Sequence, residues 1–138
     1  MIGKIEHIGI AVKDLSSSQK IYETLLNTPA YKREVVESEF VETLFFRSGV
    51  NKIELLQSLH EDSAIHKFIQ KKGEGIHHIA FEVDDIYSEM QRLKDEGFIL
   101  INDEPKKGAD NKLICFLHPK TTHGVLIELC QEIKVESI

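Results

Sequence analysis

The chain is poor in cysteine, short of positive charge and without a long apolar run, and each shortage removes a class of protein. Two cysteines, Cys115 and Cys130, are too few for a disulfide framework. Both lie inside strand-like apolar runs, so they are expected as buried free thiols in a reducing, cytoplasmic setting. Lysine and arginine number 17 against 23 aspartates and glutamates, a formal net charge of −6, which argues against a nucleic acid or an anionic membrane surface as partner. No apolar stretch approaches the length of a membrane-spanning helix. Strand-like sequence starts close to Met1 with no basic and apolar leader ahead of it, so no secretory signal is expected. What is present, 138 residues with 41% hydrophobic and 29% charged side chains, suits one ordinary globular domain with a real core.

The sequence also repeats itself. Residues 5–12, Ile-Glu-His-Ile-Gly-Ile-Ala-Val, are echoed by 76–83, Ile-His-His-Ile-Ala-Phe-Glu-Val. Residues 52–57, Lys-Ile-Glu-Leu-Leu-Gln, are echoed by 126–131, Leu-Ile-Glu-Leu-Cys-Gln. The first echo pairs His7 with His78 at an offset of 71, and the second pairs Glu54 with Glu128 at an offset of 74. The three added residues fall in the longer turn His118-Pro119-Lys120-Thr121-Thr122-His123-Gly124.

Turn and cap signals divide each copy in the same way. In the first module a strand at about 4–12 precedes a helix at about 15–27, with Asp14 and Ser16 as candidate N-caps and Thr28-Pro29 as its stop. Strands follow near 30–37, 40–48 and 51–57, the last two joined by a hairpin signal at Ser48-Gly49-Val50-Asn51. A short amphipathic helix near 62–72 connects the modules. The second module has a strand at 76–83, a helix at 86–96 capped by Asp84-Asp85 and closed by Gly97, then strands near 97–102, 111–117 and 123–130. The polar tail from Glu132 is expected to fray. The fold class is therefore α+β: two tandem βαβββ modules, about 4–60 and 76–131, expected to pack side by side with their sheets forming a U-shaped, half-barrel cleft.

Strand parity then selects side chains. His7, Gly9 and Ala11 share one face, and the small residues leave room for a ligand. Glu54 shares a face with Leu56, and Glu128 with Leu126 and Cys130. A glutamate within Val-Leu-Ile-Glu-Leu-Cys points into apolar surroundings, which is costly without compensation, and a metal ion supplies it. His7, Glu54, His78 and Glu128 are thus the candidate metal ligands. Two neutral imidazoles and two carboxylates balance a divalent cation, and nitrogen and oxygen donors suit cobalt, nickel, zinc or manganese. His77 competes with His78, and Gln57 with Glu54, but each has the opposite parity. His60, His66, His118 and His123 read as surface or turn residues.

These residues and their setting resemble the vicinal oxygen chelate superfamily, and within it the methylmalonyl-CoA epimerase family. The resemblance spans about residues 4–131. Its more discriminating segments are Asp-Ser-Ala-Ile-His-Lys-Phe-Ile (62–69), Gly-Glu-Gly-Ile-His-His (73–78) and Phe-Leu-His-Pro-Lys (116–120). It implies metal ligands at His7, Glu54, His78 and Glu128, with cobalt favoured, and one departure is that some epimerases carry glutamine where this chain has Glu54. It implies an acyl-CoA substrate, with the 2R and 2S forms of methylmalonyl-CoA interconverted by proton removal and return at C2 through a metal-stabilised enolate. Inversion needs a group on each face of that enolate. Glu128 is one candidate; Glu42, placed where an epimerase can carry a second, non-ligand glutamate, is the other. Arg47, Lys106, Lys107 and Lys120 are candidates for the CoA phosphates. A homodimer is the default assembly. The rivals are glyoxalase I, a hemithioacetal isomerase with the same ligand set; a ring-cleaving dioxygenase; and a drug-sequestering binding protein without the metal set.

Overall fold

A computed structural model describes residues 1–134 of the chain. The order of elements is β1 (Ile2–Ala11), α1 (Leu15–Leu26), β2 (Lys32–Val36), β3 (Val41–Ser48), β4 (Asn51–Ser58), α2 (Ala64–Lys72), β5 (Gly75–Val83), α3 (Ile86–Asp95), β6 (Lys106–Lys107), β7 (Lys112–Leu117) and β8 (Ile127–Glu132). This is βαβββ twice, with α2 between the copies. No helix among the described residues is long and apolar enough to cross a membrane.

The contacts gather into two compact units: His7–His78, and Met1–Glu6 together with the chain from Ile79 onward. The boundary falls within β1 and β5 rather than at the connector. Helix α2 belongs to the first unit because Ile65 packs with Ala11, Val41 and Leu56. The opening residues belong to the second because the Met1 amino group pairs with Glu89 of α3 at 2.6 Å.

In the His7–His78 unit the strand order is β2-β3-β4-β1, with β1 and β4 parallel and β2-β3-β4 antiparallel. The β3–β4 hairpin closes through two residues, with Gly49 at φ +63°, the positive value that a tight hairpin needs at its first central position. Helix α1 covers one face, where Val12, Leu15, Leu44, Phe46 and Leu55 form a closed cluster. Each large apolar side chain buried in this way contributes about 1.5–3 kcal/mol. In the other unit the order is β5-β8-β7-β6, and α3 is covered by the cluster of Val83, Ile86, Met90, Leu93, Cys115, Leu117 and Leu129.

Helix ends follow the sequence signals. Asp14 accepts from the amides of Ser16 and Ser17, Ser63 from Ile65, and Asp85 from Ser88. Gly97 sits at φ +94° just past α3, its amide donating to Lys94 O. A further device is duplicated. Gln57 Oε1 accepts from Leu15 N at 2.7 Å, and Gln131 Oε1 accepts from Ile86 N at 2.7 Å. Each copy of the repeat thus uses the last glutamine of its closing strand to hold the first turn of its helix.

Three expectations are corrected. The strand near 97–102 does not form; the segment makes one isolated bridge, Leu100 to Leu117. There the Asn102 side-chain oxygen accepts from Phe116 N at 2.9 Å, a position that a strand would give to a backbone carbonyl. The ladder resumes only at the two-residue β6. The strand placed at 123–130 starts later, at Ile127, because His123 and Gly124 take positive φ of 55° and 89° and Gly124 N turns back to Pro119 O. Glu132 does not fray: it pairs with Lys112, and Ile133 N donates to Asn111 O. The rest of the expected tail, 135–138, lies outside the described residues.

Removing either glutamine leaves a buried helix-terminal amide without its acceptor. Gln57→Ala and Gln131→Ala should each lower stability by about 0.5–2 kcal/mol, the range for a lost helix cap. Urea unfolding of the two variants tests this; an unchanged midpoint in either would mean that water replaces the glutamine at no cost.

Candidate metal centre

His7, Glu54 and His78 come together inside the His7–His78 unit, and all three are buried. The parallel register of β1 and β4 sets Gly9 beside Glu54, and alternation puts His7 on the same face. Phe45 of β3 flanks Glu54 on its other side. The His7 Nε2 and His78 Nε2 atoms are 3.0 Å apart. Glu54 Oε1 lies 3.6 Å from each of them.

The room expected over the small residues of β1 is filled. A Cβ on Gly9 would come within 2.5 Å of His78 Nδ1 and 2.7 Å of its Nε2, and closer still to Cε1. The imidazole of His78 therefore lies directly on the Gly9 backbone, and the absence of a side chain there is what lets the two histidines meet.

His77 takes part as well, though its parity points it away from His78. Its Nδ1 is 2.9 Å from His78 Nδ1, and its ring meets Phe68 of α2 edge-on at 5.0 Å between centroids. Burial holds His77 neutral, its pKa lowered to about 4. His78 is pushed well below its ordinary value, first by burial and then by its two histidine neighbours. A neutral His78 that donates from Nδ1 to His77 keeps the lone pair on Nε2, the atom that faces His7 and Glu54. The only signal for this contact in the sequence is the His-His doublet itself.

These donors fit a divalent ion. Adjacent ligand atoms held at about 2.1 Å from one centre are roughly 3.0–3.4 Å apart, and the three facing atoms are separated by 3.0 to 3.6 Å. Two neutral imidazoles and one carboxylate are the nitrogen and oxygen chemistry of cobalt, nickel, zinc or manganese.

Glu128 belongs to the other unit. It is buried on β8, between Ala80 of β5 and Phe116 of β7. Glu54 has the matching neighbours, Gly9 and Phe45, so the repeat reproduces the setting of the carboxylate. Cys115 and Cys130 are free and buried. Burial and then the Glu128 charge push the Cys115 thiol up to about 12, and the same two causes lead in raising Cys130.

Glu42 is not brought to the His7–Glu54–His78 cluster. Its register partner is Gln57, which reaches the end of α1, so Glu42 lies on the helix-covered face, opposite to Glu54. There Arg33 holds its carboxylate by two bonds of 3.0 and 3.1 Å. Asp14 lies close enough for its charge to help raise the Arg33 pKa, after Glu42. Of the other histidines, His60 stacks on Phe40 and accepts from Asp62 N, and His118 accepts from Lys120 N. His66 lies on α2 and His123 in the turn before β8. The Arg47 guanidinium sits 4.2 Å over the Tyr31 ring. Lys107 and Lys120 are exposed and Lys106 is half-buried.

Residues 6–116 match the Glyoxalase/Bleomycin resistance protein/Dioxygenase superfamily. The chain is 41% identical to the ethylmalonyl-CoA/methylmalonyl-CoA epimerase of Cereibacter sphaeroides, covering 95% of this chain and 99% of that protein. It is 38% identical to the mitochondrial methylmalonyl-CoA epimerase of Homo sapiens, covering 94% of this chain and 74% of that protein. Among solved structures, a variant of Streptomyces coelicolor methylmalonyl-CoA epimerase in complex with 2-nitronate-propionyl-CoA superposes with a TM-score of 0.91 at 36% identity over 100% of both chains.

Gly9→Ala tests the close approach. Overpacking of this kind costs about 1–3 kcal/mol, and the displaced His78 ring should weaken Co²⁺ binding by roughly 10–100-fold, the range for a lost ligand orientation. Titration followed by the visible absorption of Co²⁺ reads the affinity; wild-type affinity in the variant would show that the ring can move aside without loss.

Proposed function

Because the chain belongs to the Glyoxalase/Bleomycin resistance protein/Dioxygenase superfamily and, within it, to the methylmalonyl-CoA epimerase family, we propose that it interconverts the 2R and 2S forms of methylmalonyl-CoA by moving one proton at C2. The observation that carries the reading is the convergence of His7, Glu54 and His78 on one point, in a chain whose full-length relatives bear that name. The hemithioacetal isomerisation that the ligand set alone also suggests draws no support from these relatives.

The C2 hydrogen lies between a thioester carbonyl and a carboxylate, so its removal leaves charge delocalised onto oxygen. A divalent ion held by His7, Glu54 and His78, with Glu128 as the proposed fourth ligand and cobalt as the proposed metal, would supply Lewis-acid polarisation of that oxygen. His77 would keep His78 in the tautomer that presents Nε2. Glu128 is the proposed base at one face of C2, its carboxylate set in apolar surroundings that include Cys130 and Phe116. General acid–base action of this kind contributes about 10²–10⁴-fold.

Glu42 is carried as the second base from the family resemblance, and its position bears on that role. To act on a substrate at the Glu54 face it must leave Arg33 and change sides of the hairpin. As a second base, Glu42→Gln lowers turnover by about 10² or more with Co²⁺ affinity unchanged; turnover within threefold of wild type would return Glu42 to a structural ion pair with Arg33. A cytoplasmic homodimer completes the proposal, and light scattering of the purified protein tests the assembly.

The function itself is tested by proton NMR of cobalt-loaded protein with methylmalonyl-CoA in D₂O. C2 exchange that EDTA abolishes, accompanied by inversion in a chiral assay, is the expected result. Folded, metal-loaded protein that leaves C2 unexchanged would overturn the reading.

A further inference from the structure

The histidine doublet gives the metal centre an unusual neighbour. A histidine that binds an ion through one ring nitrogen ordinarily donates its other N–H to a carboxylate, a backbone carbonyl or water. Here the Nδ1 of His78 meets the Nδ1 of His77 at 2.9 Å instead. The partner is a second imidazole, carried by the preceding residue of β5. Consecutive strand residues leave the backbone on opposite sides, so the contact requires the two rings to turn toward each other. They stand at 90° with centroids 5.2 Å apart. Phe68 of α2 meets the His77 ring at 86° and 5.0 Å between centroids. Phe68 in turn packs on the cluster of Ala11, Val41, Leu56 and Ile65. The connector helix thus holds the doublet in shape.

Proton counting assigns the roles within the doublet. A hydrogen bond between two Nδ1 atoms holds one proton, so one ring donates and the other accepts. The Nε2 of His78 lies 3.0 Å from His7 Nε2 and 3.6 Å from Glu54 Oε1, and it needs its lone pair to bind an ion there. The proton of a neutral His78 is therefore on Nδ1, and His77 Nδ1 accepts it. The proton of His77 itself is then on Nε2. The acceptor behind His78 is a neutral ring. A carboxylate in that place would draw the Nδ1 proton more strongly and make His78 a stronger donor to its ion. A neutral acceptor draws it less, and the ion keeps more of its charge for an oxygen ligand.

We propose that His77 is a positioning residue that tunes the centre: it fixes the ring and tautomer of His78 and, being a neutral acceptor, leaves the bound ion more able to polarise an oxygen ligand than an anionic acceptor would. The assignment deepens the metal-dependent epimerase reading above and rests on it. Glu54, with Glu128 as the proposed fourth ligand, already balances the charge of a divalent ion. A third carboxylate behind His78 would hold the ion more tightly and weaken its attraction for an anionic substrate. Imidazole supplies the orientation without that charge, and Phe68 keeps its ring from turning away.

Three substitutions separate the roles, because asparagine offers a neutral acceptor, aspartate an anionic one and leucine none. The visible absorption of Co²⁺ reads ion affinity, and malonate, a small dicarboxylate, reads the pull of the loaded centre on oxygen. His77→Leu should weaken Co²⁺ binding by about 10–100-fold, and His77→Asn should bring it back to within about threefold of wild type. His77→Asp should bind Co²⁺ at least as tightly as wild type, while its Co²⁺ form binds malonate about tenfold or more weakly. A residue that serves only the fold would move both affinities in the same direction. Wild-type Co²⁺ affinity in His77→Leu, no recovery in His77→Asn, or undiminished malonate binding in His77→Asp overturns the proposal. Should His77→Asp fail to fold, nitrogen-15 NMR of the metal-free wild type decides: protons on His78 Nδ1 and His77 Nε2 are expected, and a proton on His77 Nδ1 overturns the assignment. None of these readouts needs turnover. Variants that behave as stated, in a protein that does not exchange C2, would sink the epimerase reading and leave the role of His77 in place.

Discussion

Two imidazole rings meeting nitrogen to nitrogen at 3.0 Å, with a buried carboxylate 3.6 Å from both, make an arrangement that water would disperse. Each group gives up hydration to be there, and the loss is recovered only if the lone pairs share a cation or a proton. Much of the His7–His78 unit serves to hold this contact. The parallel register of β1 and β4 brings Glu54 level with Gly9. The bare backbone at Gly9 admits the His78 ring. His77, itself steadied by Phe68, holds the far side of that ring. The apolar clusters on both faces supply the stability that such a centre consumes.

The duplicated architecture is most faithful in its backbone devices. Each copy carries, one residue before the end of its closing strand, a glutamine that caps its own helix, and each seats its glutamate between the same two positions of the neighbouring strands. The copies part where chemistry requires it. The position that is glycine beside Glu54, with the His78 imidazole pressed against it, is alanine beside Glu128. Glu42 is matched at the same offset by Leu113, and the structure gives it a local partner in Arg33 rather than a place with Glu54.

Buried charge in the second unit is tied to the fold by direct bonds. Glu89 is buried but bonded to Arg92 and the Met1 amino group, so its carboxylate is held below its ordinary pKa by those contacts.

By itself the sequence determined the two βαβββ modules, most of their boundaries and the identity of three buried residues that converge, His7, Glu54 and His78. Those features are local or periodic: caps lie within a few residues of the helix they start, strand faces alternate by two, and an internal repeat exposes paired positions without any alignment. The tertiary structure decided what depends on the reach of one side chain onto another element. That His78 rests on Gly9, that His77 turns its ring to His78 despite opposite parity, that Arg33 takes Glu42, and that Asn102 replaces a strand with a side-chain bond are contacts between groups whose spacing carries no periodic signal. Periodicity fixes which way a side chain leaves the backbone, but only packing fixes what it meets.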